Sequence, residues 1–124
     1  MMNKLEIIYL ATPYIHPDPA IVELRFKQAC VIAGKLMQQG KIVFCPIAHT
    51  HPIAVVCPEM PQFDYEYWLK FDQAFIGVSK KLLIVPLMGW KESKGIAKEI
   101  TIARELKIPV DIMSIVEMRG YLRS

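Results

Sequence analysis

The sequence has 124 residues, of which 53% are hydrophobic, and it carries a formal net charge of +3 at pH 7. This length provides one domain with a substantial core, and the apolar content excludes an intrinsically disordered chain. No run approaches the roughly 18 apolar residues of a membrane span, and no basic cluster indicates binding to duplex nucleic acid. We therefore expect a single domain over residues 1–124, with neither a membrane nor duplex nucleic acid as a partner.

The first half of the chain contains two predicted buried strands with a helix between them. Residues 5–11 form a nearly continuous apolar run, which is typical of a strand buried on both faces of a parallel sheet. An apolar stripe at helical spacing follows Pro19, and Gly40 provides the left-handed residue that ends a helix. Residues 42–45 are the second strand. Residues 47–63 contain Pro52, Pro58 and Pro61 and show no period, which predicts a long functional loop.

Helices and strands alternate again in the second half. Asp64 can cap a helix over residues 65–78, and residues 82–87 are the third strand. Ser93 can cap a helix that ends near Leu106, residues 110–113 are the fourth strand, and a short helix follows. This order predicts an α/β fold with a doubly wound parallel sheet of four to five strands in three α/β/α layers. Ligands of such sheets bind beyond the carboxyl ends of the strands, which selects residues 12–18, 46–63 and 88–93 with the helix start that follows.

Two acidic residues, Asp72 and Glu99, lie on apolar stripes of these helices. Side chains three and four residues away share a helix face with them. These neighbours are Trp68, Leu69, Phe75 and Ile76 for Asp72, and Gly95, Ile96, Ile102 and Ala103 for Glu99. Both carboxyls should therefore face inward, where an unpaired carboxylate is costly or takes up a proton. Either they carry out paired acid chemistry in a cleft, or a partner such as Arg25 neutralises them.

The start of the Glu99 helix has two further candidates. Gly95 costs roughly 1 kcal/mol relative to alanine in a helix, and close approach of a ligand is one reason to keep it. Ser93 either presents its hydroxyl and free backbone N–H groups to an anion or is an ordinary serine cap.

Aromatic and histidine side chains near the same edge allow several interpretations. Trp90, beside a glycine at a strand end, is the best candidate to stack on a base, whereas Trp68 is interpreted as a core residue. His49 and His51 can contact a ligand, pack within the loop, or share a metal with His16 or Cys57.

The cysteines and the apolar content bear on location and assembly. There are three cysteines and no Cys-x-x-Cys pair, and the early apolar stretch is too short for a signal peptide. We expect reduced thiols and a cytoplasmic protein. The apolar content exceeds what so small a chain easily buries, which favours a homodimer or homotetramer.

Several of these residues together resemble a known family. The opening Ile8-Tyr9-Leu10-Ala11, Cys45-Pro46, Asp72, and Ser93-x-Gly95-x-x-x-Glu99 followed by Ala103 and Pro109-Val110 are similar to the nucleoside 2-deoxyribosyltransferase superfamily. The Tyr-Leu-Ala-x-Pro-Tyr opening and the Gly-Trp turn resemble a bacterial and phage branch of it. The resemblance implies a flavodoxin-like fold and cleavage or transfer at the N-glycosidic bond of a deoxynucleoside or deoxynucleotide, without metal or cofactor.

The resemblance also implies roles for individual residues. Glu99 matches the nucleophile that forms a covalent sugar ester, and Tyr9 matches the tyrosine that orients it. Asp72 matches the aspartate near the base that assists leaving-group protonation, and Ser93 is similar to a serine that holds phosphate in nucleotide-hydrolysing members. Gly95, Ala11, Pro13, Tyr14, Trp90 and His49 complete the expected substrate contacts.

One departure from the pattern affects the substrate. The nucleotide hydrolases of this superfamily wrap the phosphate with a glycine-rich loop after the first strand, whereas this chain has Thr12-Pro13-Tyr14. Three functions remain open at this point. They are an enzyme acting through Glu99, a non-catalytic nucleotide-binding or sensing module, and a structural oligomer whose inward carboxyls are salt-bridged.

Overall fold

The computed structural model describes residues 6–124, and over these residues four parallel strands form one sheet in the order β2-β1-β3-β4. The strands are Ile7–Ala11 (β1), Ile42–Phe44 (β2), Lys81–Ile84 (β3) and Val110–Ile112 (β4). The α-helices of this part of the chain are Pro19–Gln38 (α1), Pro46–Val56 (α2), Tyr65–Gly77 (α3), Lys94–Glu105 (α4) and Ile115–Arg123 (α5). The predicted doubly wound α/β fold is confirmed, and it is consistent with a flavodoxin-like three-layer arrangement.

Alternate side chains of β1 divide the core into two layers. Ile8 and Leu10 pack against residues of α1 and α5, whereas Tyr9 and Ala11 pack against residues of α3 and α4. The α1 crossover moves the chain from β1 to one edge of the sheet, and the later crossovers move it toward the other edge. Because parallel crossovers are right-handed, the two sets of helices lie on opposite faces.

The strand order reverses between β1 and β3. The chain leaves β1 toward β2 on one side and returns to place β3 on the other side. Connections that leave a sheet in opposite directions open a crevice at the carboxyl ends of the strands. This crevice lies beyond Ala11, the last residue of β1.

The prediction of a loop over residues 47–63 is wrong for the first part of that range, because α2 forms there. Pro46 occupies the start of the helix, where its missing N–H has no intrahelical partner to lose. Pro52 lies inside the helix and removes one backbone hydrogen bond. Ile47, His51 and Ala54 are nevertheless buried at i, i+4 and i+7, which is a helical stripe that contains a histidine.

The predicted strands differ from the observed ones mainly in length. The second was predicted as buried, but β2 is an edge strand in the described sheet, and Ile42 is 57% exposed. The third ends at Ile84, although Val85 and Leu87 stay buried beyond it. Leu5, predicted to open the first strand, lies outside the described residues. No helix in the described range is long and apolar enough to cross a membrane.

Candidate active site

A cavity of about 640 Å³ opens at the carboxyl edge of the sheet. This volume falls in the range of small-molecule sites. Its walls come from residues 12–17 after β1, from α2 and the segment after it, from α3, and from the start of α4. These include parts of the three segments that the order of strands and helices selected.

Glu99 and Asp72 both line this cavity. Glu99 lies on the buried stripe of α4 between Ile96 and Ala103 and is only 6% exposed. Asp72 lies on α3 and is partly buried. Helical spacing alone thus predicted that two carboxyls turn inward, and the fold brings them to one cavity from two helices.

Tyr9 joins the carboxyls from the sheet. Its side chain is fully buried, points from the middle of β1 toward α4, and donates its hydroxyl to Oε2 of Glu99. Tyr9 and Glu99 are 90 positions apart in the sequence, and the packing of α4 against the central strand β1 brings them into contact. We call Tyr9, Asp72 and Glu99 the carboxyl cluster.

The electrostatics of the carboxyl cluster favour protonated groups. Burial raises the pKa of Glu99 well above 4.5, the Asp72 charge raises it further, and the Tyr9 hydrogen bond opposes the rise. Burial also raises the pKa of Asp72 to about 6, again opposed by the Tyr9 hydroxyl. Burial and both carboxylates raise the pKa of Tyr9 well above 10, so it stays a hydrogen-bond donor.

Replacing Asp72 with Asn should stabilise the protein at pH 7 more than at about pH 4. The pKa of Asp72 in the folded protein, about 6, lies above its ordinary value of 3.8. Its favourable contribution to the free energy of unfolding is therefore fully present below pH 3.8 and is lost as the pH rises through 6. Asn is neutral throughout. Urea unfolding should show a gain on the order of 2 kcal/mol at pH 7 that shrinks toward pH 4.

The matched control is Asp111→Asn. Asp111 lies on β4, is exposed, and pairs with Lys81 of β3. This substitution should change the free energy of unfolding little at either pH. A gain from Asp72→Asn that is equal at both pH values would contradict the raised pKa.

Thr12 is a cavity residue that the sequence analysis missed. It follows β1 directly and is only 6% exposed, and its Oγ1 has no hydrogen-bond partner among the described residues. A buried hydroxyl without a partner costs about 1–3 kcal/mol. A polar residue just beyond the carboxyl end of a buried strand was the available signal.

Thr12→Val should raise the free energy of unfolding by about 1 kcal/mol, because it removes the unpaired hydroxyl while nearly keeping the shape. The same change should weaken ligand binding if the hydroxyl contacts the ligand. Thermal unfolding and a binding titration measure the two effects. A loss of stability would show that the hydroxyl is satisfied in the folded protein.

A second polar cluster reaches the cavity through Tyr14. The Tyr14 hydroxyl lies 2.6 Å from Nδ1 of His51, and Nε2 of His51 lies 3.0 Å from Oε2 of Glu23. Gln62 donates its Nε2 to the Tyr14 hydroxyl at 2.9 Å. We call Glu23, His51, Tyr14 and Gln62 the tyrosine chain. Tyr14 was predicted from the sequence as a site residue, but its contacts with the other three residues were not.

His49 and His51 have different surroundings, and this bears on the predicted alternative that they share a metal ion. Both ring nitrogens of buried His51 are engaged in the tyrosine chain. His49 is exposed and lies edge-on to Phe44 and Phe75. Across the described range, no group of three or more His, Cys, Asp or Glu residues is placed to hold a metal ion.

Arg25 does not neutralise either carboxyl. Its guanidinium donates to the carbonyl oxygens of Ile15 at 2.9 Å and Met88 at 3.1 Å. It therefore joins the segment after β1 to the segment after β3. Gly89 follows with a φ of +90°, and a Cβ there would collide with this guanidinium. The salt-bridged alternative for Glu99 thus lacks its proposed partner.

The remaining predicted site residues divide between the cavity and the core. Ser93 and Gly95 line the cavity, and the Ser93 hydroxyl also caps α4 by accepting from the backbone N–H of Ile96 at 3.2 Å. Ala11 and Pro13 are buried in the protein, and neither lines the cavity. Their side chains pack in the interior and do not face the cavity.

The aromatic residues differ most from expectation. Trp90 packs against the core of the α3–α4 layer, and neither it nor His49 lines the cavity. Trp68, interpreted from sequence as core, does line it, and its indole N–H donates to the Pro61 carbonyl at 3.0 Å. Phe63 and Tyr65 complete this wall, so these aromatic side chains come from the start of α3 and the residues just before it instead of the Gly-Trp turn.

These features define a parallel α/β protein with a cavity at its switch point and a buried carboxyl cluster in the cavity wall. Residues 6–115 match a family model described as "Domain of unknown function (DUF1937)", and the chain belongs to this family. The matched range includes the whole carboxyl cluster and the tyrosine chain. No curated protein matches the sequence.

Proposed function

We propose that this protein cleaves or transfers the N-glycosidic bond of a deoxynucleoside or deoxynucleotide through a covalent deoxyribosyl–Glu99 intermediate. The observation that carries the proposal is the buried Glu99 carboxyl, which accepts the Tyr9 hydroxyl in the wall of a cavity of nucleoside size. The second carboxyl of the cavity, Asp72, and the resemblance to the nucleoside 2-deoxyribosyltransferase superfamily support the same chemistry.

In the first step, a carboxylate oxygen of Glu99 attacks the anomeric carbon of the deoxyribose. The bond from that carbon to the base nitrogen breaks, and its electron pair stays on the nitrogen. Asp72 supplies a proton to the departing base, and its pKa, raised by burial to about 6, keeps part of it protonated near neutral pH. In the second step, water or another base attacks the same carbon, its proton passes to the Asp72 carboxylate, and Glu99 is freed, so the configuration is retained.

The reaction requires an ionised Glu99 and a protonated Asp72, whereas burial and the Asp72 charge raise the pKa of Glu99 and favour the proton there in the ligand-free protein. Each of the two carboxylates disfavours charge on the other, so the pair holds a proton to higher pH than isolated carboxyls do. The Tyr9 hydroxyl donates to Glu99, which favours the charged form on that side. Developing positive charge on the sugar favours it further. We assign Glu99 as the nucleophile because it accepts the Tyr9 hydroxyl, and Asp72 as the proton donor, so substrate binding must move the shared proton from Glu99 to Asp72.

The start of α4 favours an anionic group on the substrate. Ser93, Lys94 and Gly95 all line the cavity, and the first backbone N–H groups of a helix have no intrahelical acceptors. A 5′-phosphate would match this chemistry. Because Thr12-Pro13-Tyr14 stands where the phosphate-wrapping loop of the nucleotide hydrolases lies, unphosphorylated and phosphorylated substrates both belong in the test.

The test incubates the protein with deoxynucleosides and their 5′-monophosphates and follows free base by chromatography. Intact-protein mass spectrometry after a short incubation should show a deoxyribosyl adduct on Glu99. Ligand binding without base release or adduct would overturn the proposal and favour a non-catalytic nucleotide-binding module.

Assembly and location stay predictions from the sequence. Exposed apolar side chains on α2 and just before α3, such as Val55, Val56 and Phe63, favour a homodimer or homotetramer. A nucleoside-processing role agrees with the cytoplasmic location that the cysteine pattern favours.

A further inference from the structure

We propose that the cavity selects bases with an exocyclic amino group, because the tyrosine chain fixes the Gln62 amide there with its Oε1 as a hydrogen-bond acceptor. Tyr14 and Gln62 both line the cavity, and the Tyr14 phenolic oxygen already accepts from Nε2 of Gln62, so Oε1 is the acceptor left for a ligand. The inference rests on the proposed function for the nature of the ligand, a nucleoside or nucleotide. It adds a specificity for the base that the carboxyl cluster does not determine.

The direction of the chain is set at its outer end by Glu23. An ionised carboxylate accepts hydrogen bonds and donates none, so the His51 tautomer that fits has its proton on Nε2 and donates to Oε2 across 3.0 Å. Nδ1 of the same ring is then the acceptor. Glu23 is about half exposed, whereas the His51 side chain is 6% exposed, so the ring is held at a fixed place in the interior.

The inner end of the tyrosine chain is fixed by the proton of Tyr14. Since Nδ1 of His51 accepts, the Tyr14 hydroxyl must give its single proton to the ring across 2.6 Å. The Tyr14 oxygen then has only acceptor capacity for its other neighbours. Gln62 meets it with Nε2 at 2.9 Å, which leaves Oε1 as the acceptor end of the amide. The tyrosine chain thus fixes which end of the Gln62 amide accepts.

The wall around Oε1 of Gln62 has the chemistry of a base site. Phe63, Tyr65 and Trp68 line the same cavity, and the Tyr14 and Phe63 rings lie 5.9 Å apart. Flat aromatic faces stack on any base and do not discriminate. An exocyclic amino group can donate an N–H to Oε1 of Gln62. A carbonyl at the same place would face that oxygen, acceptor against acceptor.

The experiment measures binding to the Glu99→Gln protein, which should hold nucleosides without cleaving them. Calorimetry compares 2′-deoxyadenosine with purine 2′-deoxyriboside, which differs only by lacking the amino group, and 2′-deoxycytidine with 2′-deoxyuridine. We expect the amino-bearing member of each pair to bind roughly ten- to a hundredfold tighter. Tyr14→Phe and Gln62→Leu should each bring this ratio down toward one.

Two controls separate specificity from stability. Tyr121→Phe removes a phenol hydroxyl on α5, which packs on the opposite face of the sheet, and it should leave the ratio unchanged. At Glu23, Gln still offers an oxygen to Nε2 of His51, so Glu23→Gln should keep the ratio. Glu23→Leu frees the histidine proton to move and should lower the ratio several-fold. General destabilisation would weaken both members of a pair alike.

The outcomes for the base preference and for the reaction are distinct. An amino preference in binding without base release by the wild-type protein supports this inference and overturns the proposed function. Base release with equal binding of both members of each pair overturns the inference and leaves the function standing. Absence of measurable binding for all four nucleosides also overturns the inference.

Discussion

Replacing Glu99 by Gln is expected to reduce base release by at least about a thousandfold and to eliminate the deoxyribosyl adduct. Gln keeps the shape of the side chain, and its carbonyl oxygen can still accept the Tyr9 hydroxyl. It lacks the nucleophilic carboxylate. Because it also removes a buried group whose pKa is strongly raised, the substitution should not lower the free energy of unfolding at pH 7.

The matched control for this substitution is Glu105→Gln. Glu105 lies on the same helix, α4, but is exposed to solvent. Base release by this variant should equal that of the wild-type protein. Turnover by Glu99→Gln at a substantial fraction of the wild-type rate would exclude Glu99 as the nucleophile, and loss of turnover in both variants would point to a folding defect.

Tyr9→Phe is expected to lower base release about ten- to a hundredfold near pH 7 and to shift the acid limb of the pH profile upward. The Tyr9 hydrogen bond lowers the pKa of Glu99, so its removal raises that pKa. A smaller fraction of Glu99 is then ionised at a given pH. Raising the pH restores the ionised fraction, so the deficit should narrow in alkaline buffer. Initial rates across the pH range measure the shift.

A purely structural role for Tyr9 gives a different pattern. Loss of packing would lower the rate by a similar factor at every pH and would leave the acid limb in place. Tyr121→Phe on α5 provides the comparison for loss of a phenol hydroxyl far from the carboxyl cluster. An unchanged acid limb in Tyr9→Phe would overturn the assignment of Tyr9 as the group that favours ionised Glu99.

Local periodicity was sufficient to predict the layered fold and the inward carboxyls. Apolar runs marked β1 and β3, and helical spacing placed Asp72 and Glu99 on buried faces before any tertiary contact was known. Periodicity did not predict α2, because two prolines and the buried His51 interrupt its apolar stripe. Treating that segment as a loop also grouped His49 with His51, although residues two apart face different directions on a helix.

Contacts between distant elements could not be predicted from spacing. The orphan hydroxyl of Thr12 becomes visible only when its surroundings are known. The path from Glu23 through His51 to Tyr14 joins α1, α2 and the segment after β1. Trp68 was predicted in the core and lines the cavity, whereas Trp90 was predicted at the ligand and packs against the core. A core and a cavity wall both present apolar surface, and residue spacing does not distinguish them.

The bridge made by Arg25 has a consequence for how the cavity receives a ligand. One planar guanidinium fixes the distance between the segments that follow β1 and β3, through the carbonyls of Ile15 and Met88. The segment after β1, whose Ile15 lines the cavity, is therefore tied to the segment after β3, and little loop-ordering entropy is left to lose on association. Lysine would keep the positive charge but not the two-pronged geometry, so it could not hold both carbonyls in the same way.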